Sequence, residues 1–446
     1  MVKLEISPDW NRLGNTQGVI IMKMNKMYHI LFLTVFLLFV SVLSSEAAVD
    51  IQCPCDMNGD GDCEDVVSGQ YDEPALQDSL GVTCLHLGGG DGFAIMADGR
   101  PQYIFGFSNL TGIPSANVME AGILAAHWPA PAIAVNQGEE FYLSLTNVGM
   151  LIRPDLFDPH TVHFHGFPQS STVFDGLPES GISISMGATL TYYYNLVGPG
   201  TYMYHCHVEA TEHMQMGMLG NLYVRAAQSW LGAPGVPAGD LAECNAPGDQ
   251  FAGPCGYVYN DQDGSTAYDL EYPLQLGGFD PDFHDASWTV QPLPFAMMWD
   301  RYPMINGRGY PDTVNTGPMP QPMDGGEDLN GAVNSQVEHS LITAAPGDRI
   351  LLRLSNLNIT VTHTLISPSI PMTVVGIDAK ELRSTANESL HYTTNSITIG
   401  GGMAADVILD TTGIPAGTYY LYAANLEYLS NLDEDFGGIM TEIRIQ

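Results

Sequence analysis

Six of the thirteen histidines fall into two short groups, and a cysteine and a methionine accompany the second group. The first group reads Pro159-His-Thr-Val-His-Phe-His-Gly166. The second reads Tyr204-His-Cys-His207 and is followed by His213 and Met218. Two imidazoles, one thiolate and a weak thioether are the ligand set of a blue-copper site. The residues predicted to bind this copper ion are His160, Cys206, His213 and Met218.

Alternation along a strand predicts which of the remaining histidines lie together. Residues two apart on a β-strand point to the same side, so His163 and His165 should face one side, as should His205 and His207. Cys206 should point the opposite way, and only a few covalent bonds would join two metal sites. One alternative is zinc, which usually prefers closed Cys/His tetrahedra without methionine. Another alternative is that these histidines are structural residues of the core. Six histidines at these spacings, with Cys206 between two of them, disfavour that interpretation.

At these motifs the sequence resembles the multicopper oxidases. The His-x-x-His-x-His-Gly pattern, the His-Cys-His triplet and the downstream His-x-x-x-Gly-Met are similar to that family's C-terminal copper-binding pair, and the resemblance covers about residues 93–446. It implies type 1 copper on His160, Cys206 and His213 with Met218 axial. It also implies a type 2 ligand in His163 and type 3 ligands in His165, His205 and His207. The six residues between Cys206 and His213 are two more than the family usually has.

The resemblance also implies a reaction. A small reducing substrate, either a metal ion or a phenol, would give single electrons to type 1 copper. The electrons would cross Cys206 to the side of His205 and His207, which makes these three the expected catalytic residues. Dioxygen would then be reduced to water at a trinuclear copper cluster.

The second half of the chain lacks the histidines that such a cluster needs. The family's cluster uses four His-x-His pairs, and this chain has two, both in its first half. The later histidines are isolated: His284, His339, His363 and His391. Segments such as Met304–Arg308 and Ala345–Asp348 resemble the copper-free middle domain of three-domain members. One chain alone is therefore expected not to complete the cluster.

Several arrangements remain open. Two chains could meet about a two-fold axis, first domain to first domain, and share one cluster. A different polypeptide could supply the missing pairs, or the protein could be a type 1 electron carrier without oxidase activity. A copper nitrite reductase-like enzyme is a further alternative. However, that enzyme's catalytic carboxylate position would hold His163, and its third type 2 histidine would fall near Ala424.

The elements that must position these residues are β-strands. The chain has 446 residues, few charges and many Gly and Pro, which favours an all-β protein. Alternating segments such as Phe141–Thr146, Ile182–Ser185, Leu190–Tyr194 and Ile350–Leu354 predict two β-sandwiches in tandem, and the resemblance makes them cupredoxin-like with Greek-key connections. We expect a copper-binding domain at 93–226, a linker at 227–265 and a copper-free domain at 266–446.

The N-terminus predicts export. Lys23 and Lys26 precede an apolar run at 30–43 and a small-residue cleavage site, which is typical of a signal peptide. We assign residues 1–47 to it, with the true start among Met22, Met24 and Met27. A transmembrane anchor is the alternative, although a run of about 14 residues is short for one. The expected location is the periplasm or the cell exterior, where disulfides persist.

Residues 48–92 form a short segment rich in cysteine and aspartate. Oxygen side chains alternate before a tight turn, as at the start of a calcium loop; they are Asp56, Asn58, Asp60 and Asp62. Val67 stands where the bidentate carboxylate should be, so a solvated acidic loop is the alternative. Six cysteines are expected to be structural: Cys53, Cys55, Cys63, Cys84 and the loop pair Cys244 and Cys255. Cys206 is then left for the metal.

The net charge of the chain limits the classes of molecule that it is expected to bind. Fifty acidic and 14 basic residues give −36, which argues against nucleic acid because phosphate contacts need Lys/Arg patches. No other run is long enough for a membrane span. An acidic surface would attract Fe²⁺, Mn²⁺ or Cu⁺, although it would equally keep an exported protein soluble.

Overall fold

The computed structural model describes residues 49, 51–56, 61, 81–167, 171–240, 255–432 and 434–446. The predicted export signal lies outside these residues. Within them, β-strands form two sandwiches, which confirms the predicted all-β tandem fold. The strands of the first sandwich are β1 (Val82–Ile95), β2 (Pro101–Asn109), β3 (Ala130–Asn136), β4 (Glu140–Gly149), β5 (His163–Phe164), β6 (Thr189–Asn195), β7 (Gly200–His205) and β8 (Leu219–Arg225).

Two four-stranded sheets make up the first sandwich. One has the order β2-β1-β4-β6 and the other β3-β8-β7-β5. Strands distant in sequence lie side by side and parallel, β1 with β4 and β3 with β8. Along β4, Phe141, Leu143 and Leu145 alternate into the core between the sheets.

The first sandwich begins earlier than the sequence suggests. Strand β1 starts at Val82 and pairs with β4 from the Val82–Glu140 register onward, so it crosses the boundary expected at residue 93. The Gly-rich stretch at 88–92 is part of this strand. Neighbouring groups leave little room for side chains there, as at Gly90, where a Cβ would lie 2.7 Å from Val148. The strand expected at Ile182–Ser185 is reduced to a single bridge between His160 and Ile184.

The second sandwich contains the remaining strands. They are β9 (Gly256–Tyr257), β10 (Ala267–Tyr268), β11 (Leu270–Phe279), β12 (Tyr302–Ile305), β13 (Met323–Asp324), β14 (Glu327–Asp328), β15 (Ile342–Ala344), β16 (Arg349–Asn356), β17 (His363–Ile366), β18 (Met372–Ile377), β19 (Lys380–Glu381), β20 (Tyr392–Thr394), β21 (Ser396–Ile399), β22 (Ala404–Asp410), β23 (Gly417–Ala423), β24 (Ser430–Asn431), β25 (Glu434–Gly437) and β26 (Met440–Ile445).

Its two main sheets have the orders β12-β11-β16-β22-β18-β19, with β20 added to β18, and β15-β26-β23-β17-β21. Part of the predicted linker belongs to this sandwich. Tyr257, Val258 and Tyr259 are buried, and the latter two pack with Leu351 and Ile408. Consecutive apolar residues need such burial, which a solvated linker would not provide.

Helices are short. They are α1 (Val118–Ala121), α2 (Ala210–Met216), α3 (Gln228–Leu231) and α4 (Pro281–Trp288). Among the described residues, none of the helices has the length and apolar character needed to cross a bilayer.

A buried ion network joins the two sandwiches. Arg353 Nε of β16 lies 2.9 Å from a Glu271 oxygen of β11, and Arg225 of β8 lies 2.5 Å from the other. Asp406 of β22 accepts hydrogen bonds from Thr201 of β7 and from Arg353. Strand β7 is therefore held against the second sandwich close to the point where the His-Cys-His triplet begins.

Candidate metal centre

Four separate elements bring the predicted type 1 residues together. His160 is held by reciprocal backbone hydrogen bonds to Ile184. Cys206 directly follows β7, His213 lies in α2, and Met218 directly precedes β8. The amide of Cys206 donates to the Met218 carbonyl at 3.0 Å, and this bond positions the end of α2 beside the cysteine.

The side chains converge in a fully buried space. Cys206 Sγ lies 3.2 Å from His213 Nδ1 and 3.9 Å from His160 Nδ1. A Cβ on Gly89 would lie 2.9 Å from His160 Cδ2 and 3.5 Å from Met218 Cε. Gly89 of β1 therefore provides the space in which the His160 ring and the Met218 thioether sit.

The electrostatics suit a thiolate ligand. Burial by itself raises the pKa of the Cys206 thiol, but the adjacent His213 and His160 imidazoles outweigh burial and hold that pKa well below its usual value. Burial lowers the pKa of His213, yet the Cys206 thiolate and the Asp158 carboxylate raise it to about 10. A thiolate between two imidazoles, with a thioether beside them, fits copper better than zinc.

The other four histidines gather on the opposite side of Cys206. His165 Nε2 lies 2.8 Å from His205 Nε2, and metal-binding atoms of His163, His165 and His205 lie within 4.8 Å of one another. The His207 ring centroid is 5.2 Å from that of His163 and 5.4 Å from that of His205. The predicted same-side grouping is therefore confirmed.

Backbone carbonyls orient three of these rings. His163 Nδ1 lies 2.6 Å from Asp175 O, and His165 Nδ1 lies 3.0 Å from Gly402 O. His205 Nδ1 lies 2.7 Å from Cys206 O. A carbonyl can only accept, so each Nδ1 carries a proton and each Nε2 is left for a metal. The two Nε2 lone pairs of His165 and His205 then face each other, which is favourable only when a cation is present.

The second sandwich closes one side of this four-histidine group. A cavity of about 400 Å³ is lined by His165, His205 and His207 together with loops 357–362 and 401–402. A smaller one of about 330 Å³ is lined by His163, His165, Asp378 and Gly402. Asp175, Asp378 and Gly402 were not found by sequence reasoning. Their positions follow from long-range packing, and no motif marks them.

The isolated histidines of the second sandwich have other partners. Both ring nitrogens of His284 lie against carbonyl oxygens, of Tyr103 and Gln215, and His363 Nε2 lies 2.8 Å from Asn358 Nδ2. In the part of the chain that the structure describes, none of His284, His339, His363 and His391 joins a group able to hold a metal.

Two carboxylates lie at the outer edge of the type 1 group. Metal-binding atoms of Asp158, Glu209 and His213 are within 4.8 Å of one another, and His213 Nε2 is 3.9 Å from the Asp158 carboxylate. That Nε2 atom is buried and has no hydrogen-bond partner. Glu209 precedes α2 with a left-handed backbone, at φ 44°. Sequence reasoning did not find this pair.

The N-terminal predictions are only partly within the described residues. Asp56 Oδ2 accepts a hydrogen bond from the amide of Gly61, whose φ is +83°, which suits a tight acidic turn. Asn58, Asp60 and Asp62 lie outside the described residues, so calcium binding stays a prediction. Cys53 and Cys84 form a disulfide with each other. Cys55 and Cys255 are each disulfide-bonded as well. Cys206 is the free cysteine of the described chain, whereas Cys63 and Cys244 lie outside it.

Comparison with known proteins adds an independent observation. Two family models, both described as multicopper oxidase, match residues 113–229 and 298–442, which together are more than half of the chain. A laccase of Aspergillus fumigatus is 32% identical over 117 residues, 26% of this chain and 18% of the relative. A multicopper oxidase of Mycobacterium tuberculosis is 35% identical over 80 residues, 18% of this chain and 14% of the relative. The chain thus aligns with less than a fifth of either curated relative.

Solved structures share the fold. The blue copper oxidase of Nitrosomonas europaea matches with a TM-score of 0.54 at 22% identity, over 81% of this chain and 85% of that chain. A second multicopper oxidase structure matches with the same TM-score and coverage at 19% identity. At these identities the likeness supports the arrangement of the two sandwiches alone.

Proposed function

Because the chain belongs to the multicopper oxidase family, we propose that it is an exported copper oxidase. It takes single electrons from a reducing substrate at the His160–Cys206–His213 site and passes them to the four-histidine group, where dioxygen is the final acceptor. Copper, when bound, supplies the one-electron redox chemistry. The observation that carries the proposal is the position of Cys206, whose sulfur lies in one group while its backbone joins the other.

The chain's own residues perform defined tasks in this scheme. His160 and His213 hold the Cys206 sulfur as a thiolate in a space that excludes water, with Met218 beside them. Cys206 O and the carbonyls of Asp175 and Gly402 orient the rings of the opposite group, so that Nε2 atoms point into the cavities. The route from the Cys206 sulfur to the His205 ring runs within two consecutive residues.

A second copy of the chain is proposed to complete the oxygen-reducing site. The described residues offer four histidines there, and three of them, His163, His165 and His207, are only partly buried. Two chains related by a two-fold axis would bring eight histidines together. A different polypeptide with the missing pairs would do the same.

Copper stoichiometry together with the oligomeric state tests this proposal. With one type 1 ion per chain and three ions shared by two chains, fully loaded protein should hold about 2.5 copper ions per chain and behave as a dimer. It should also be blue and consume dioxygen when reductant is added. A copper content near one per chain in a monomer, without oxygen uptake, would instead establish the electron carrier, which the shortage of histidines favours. Nitrite reduction without oxygen uptake would establish the nitrite reductase-like alternative.

The proposed substrate is a reducing metal cation such as Fe²⁺, Mn²⁺ or Cu⁺. Asp158 and Glu209 present carboxylate oxygens near His213 Nε2, a buried nitrogen of the type 1 group that has no hydrogen-bond partner. Oxygen ligands at this distance would hold a cation beside His213, one of the residues that would hold the copper ion receiving the electron. The net charge of −36 would raise the local cation concentration further.

Export is proposed from the signal at residues 1–47, with Ala48 as the first residue of the mature protein. N-terminal sequencing of protein recovered from the periplasm or the medium tests it. Retention of the apolar run in a membrane fraction would show an anchor instead.

A further inference from the structure

The turn between β21 and β22 reaches from the copper-free sandwich to the four-histidine group. The carbonyl oxygen of Gly402 lies 3.0 Å from His165 Nδ1, and Gly402 lines both cavities beside the histidines. Gly402 and His165 are 237 residues apart in the chain. This contact is a direct link between the metal-binding residues of one sandwich and the backbone of the other.

We propose that Gly402 is the positioning residue for His165, and that this is a specific contribution of the second sandwich to the oxygen-reducing site. Its carbonyl accepts a hydrogen bond from Nδ1–H of His165, which fixes the ring with Nε2 towards His205. The inference rests on the proposed function only in so far as it concerns metal binding. The orientation and protonation of His165 belong to the metal-free protein as well.

Only glycine fits at this position. Its φ of +79° is a left-handed conformation that L side chains rarely adopt, and a Cβ would lie 2.9 Å from Cε1 and 3.1 Å from Nδ1 of His165. Any side chain would therefore push the imidazole away from the carbonyl that orients it. The requirement comes from the histidine ring, since those two ring atoms are the nearest to the missing Cβ.

The turn has little freedom to relax. The Gly402 amide donates to Asn356 O at 3.0 Å, and the Asn356 amide donates back to Met403 O at 3.0 Å. The preceding Gly401 is packed against the Asn358 carbonyl, where a Cβ would lie at 2.2 Å. The Gly402 carbonyl is thus held at the end of β16, a buried strand of the second core. Outer partners of this kind typically change metal affinity about 10- to 100-fold when they are lost.

The matched pair Gly402→Ala and Gly400→Ala tests the proposal. Gly400 lies in the same turn, has no left-handed φ, and a Cβ there would meet nothing closer than 3.4 Å. We expect Gly402→Ala to keep the blue type 1 absorption but to bind the remaining copper about 10- to 100-fold more weakly. Gly400→Ala should match the wild type in both. Unchanged copper affinity in Gly402→Ala would overturn the proposal.

A second measurement needs no copper and does not depend on the Gly402→Ala variant. Nitrogen-15 NMR of the metal-free wild type, with His165 assigned through His165→Gln, reads which ring nitrogen carries the proton. A protonated Nδ1 is expected, and a bare Nδ1 would overturn the inference. If the wild type never binds more than about one copper per chain, the proposed cluster fails, while the protonation of His165 still decides the role of Gly402.

Discussion

The carbonyl oxygen of Cys206 lies 2.7 Å from Nδ1 of its neighbour His205, while the Cys206 sulfur lies 3.2 Å from Nδ1 of His213. One residue therefore takes part in both histidine groups, through its side chain on one side and its backbone on the other. This geometry couples two sites that a strand would otherwise separate. It also explains why the triplet is His-Cys-His, because alternate residues of an extended segment face opposite sides.

Replacing the thiolate should remove one site and spare the other. Cys206→Ser keeps the size of the side chain but loses the soft ligand that gives type 1 copper its colour. We expect the blue absorption to vanish and the copper content to fall by about one ion per chain, as read by absorption and metal analysis. His391→Gln, at a histidine outside every metal-capable group of the described chain, is the control. A surviving blue band would show that the ligand assignment is wrong.

Neutralising the Asp158 carboxylate at the outer edge of the type 1 group should weaken the binding of a cationic substrate. Asp158→Asn removes one charge next to His213 Nε2, and we expect KM for Fe²⁺ to rise about tenfold, equivalent to about 1.4 kcal/mol. The KM for an uncharged phenol should not change. Steady-state oxygen uptake with both substrates measures the difference, and Glu179→Gln, an exposed residue of the same sandwich, is the control. Equal effects on both substrates would argue against a cation site.

A buried carboxyl should make stability depend on pH. Burial raises the pKa of Asp300 from 3.8 to about 7, although Thr360 donates to it at 2.9 Å. The folded state therefore holds a proton that the unfolded state has lost between about pH 4 and 7. Since folding then binds a proton, stability falls as pH rises through this window, by at most about 4 kcal/mol. Urea unfolding of Asp300→Asn should show a flatter profile than the wild type, and parallel profiles would contradict the shift.

The buried ion network should contribute more to the free energy of unfolding than a surface ion pair does. Glu271→Gln leaves the guanidinium of Arg353, fully buried, without its main counter-charge, and we expect a loss of about 3–5 kcal/mol in unfolding free energy. Glu442→Gln removes the partner of the more exposed Arg444 and should lose less than about 1 kcal/mol. Equal losses from the two variants would mean that Glu271 does not stabilise the contact between the sandwiches.

Much of the fold was predictable because apolar alternation determines which face of a strand is buried. Strands β4, β6 and β16 contain segments that the pattern indicated. The start of the first sandwich was missed because residues up to 92 were grouped by composition with the segment rich in cysteine and aspartate, whereas pairing with β4 makes residues from Val82 onward part of the sheet. The last part of the predicted linker was missed because its apolar residues find their partners only in the second core.

The sequence by itself determined the ligand types and their sides. Imidazole, thiolate and thioether together indicate copper by their chemistry, and residues two apart share a face through the geometry of extended backbone. Tertiary structure alone decided that Gly402 orients His165, that Asp158 and Glu209 meet at His213, and that the second sandwich closes one side of the histidine group. The physical reason is that a backbone carbonyl is the same at every position, and an acidic side chain differs little from 49 others in this chain. Only the path of the folded chain brings such groups to a metal-binding residue.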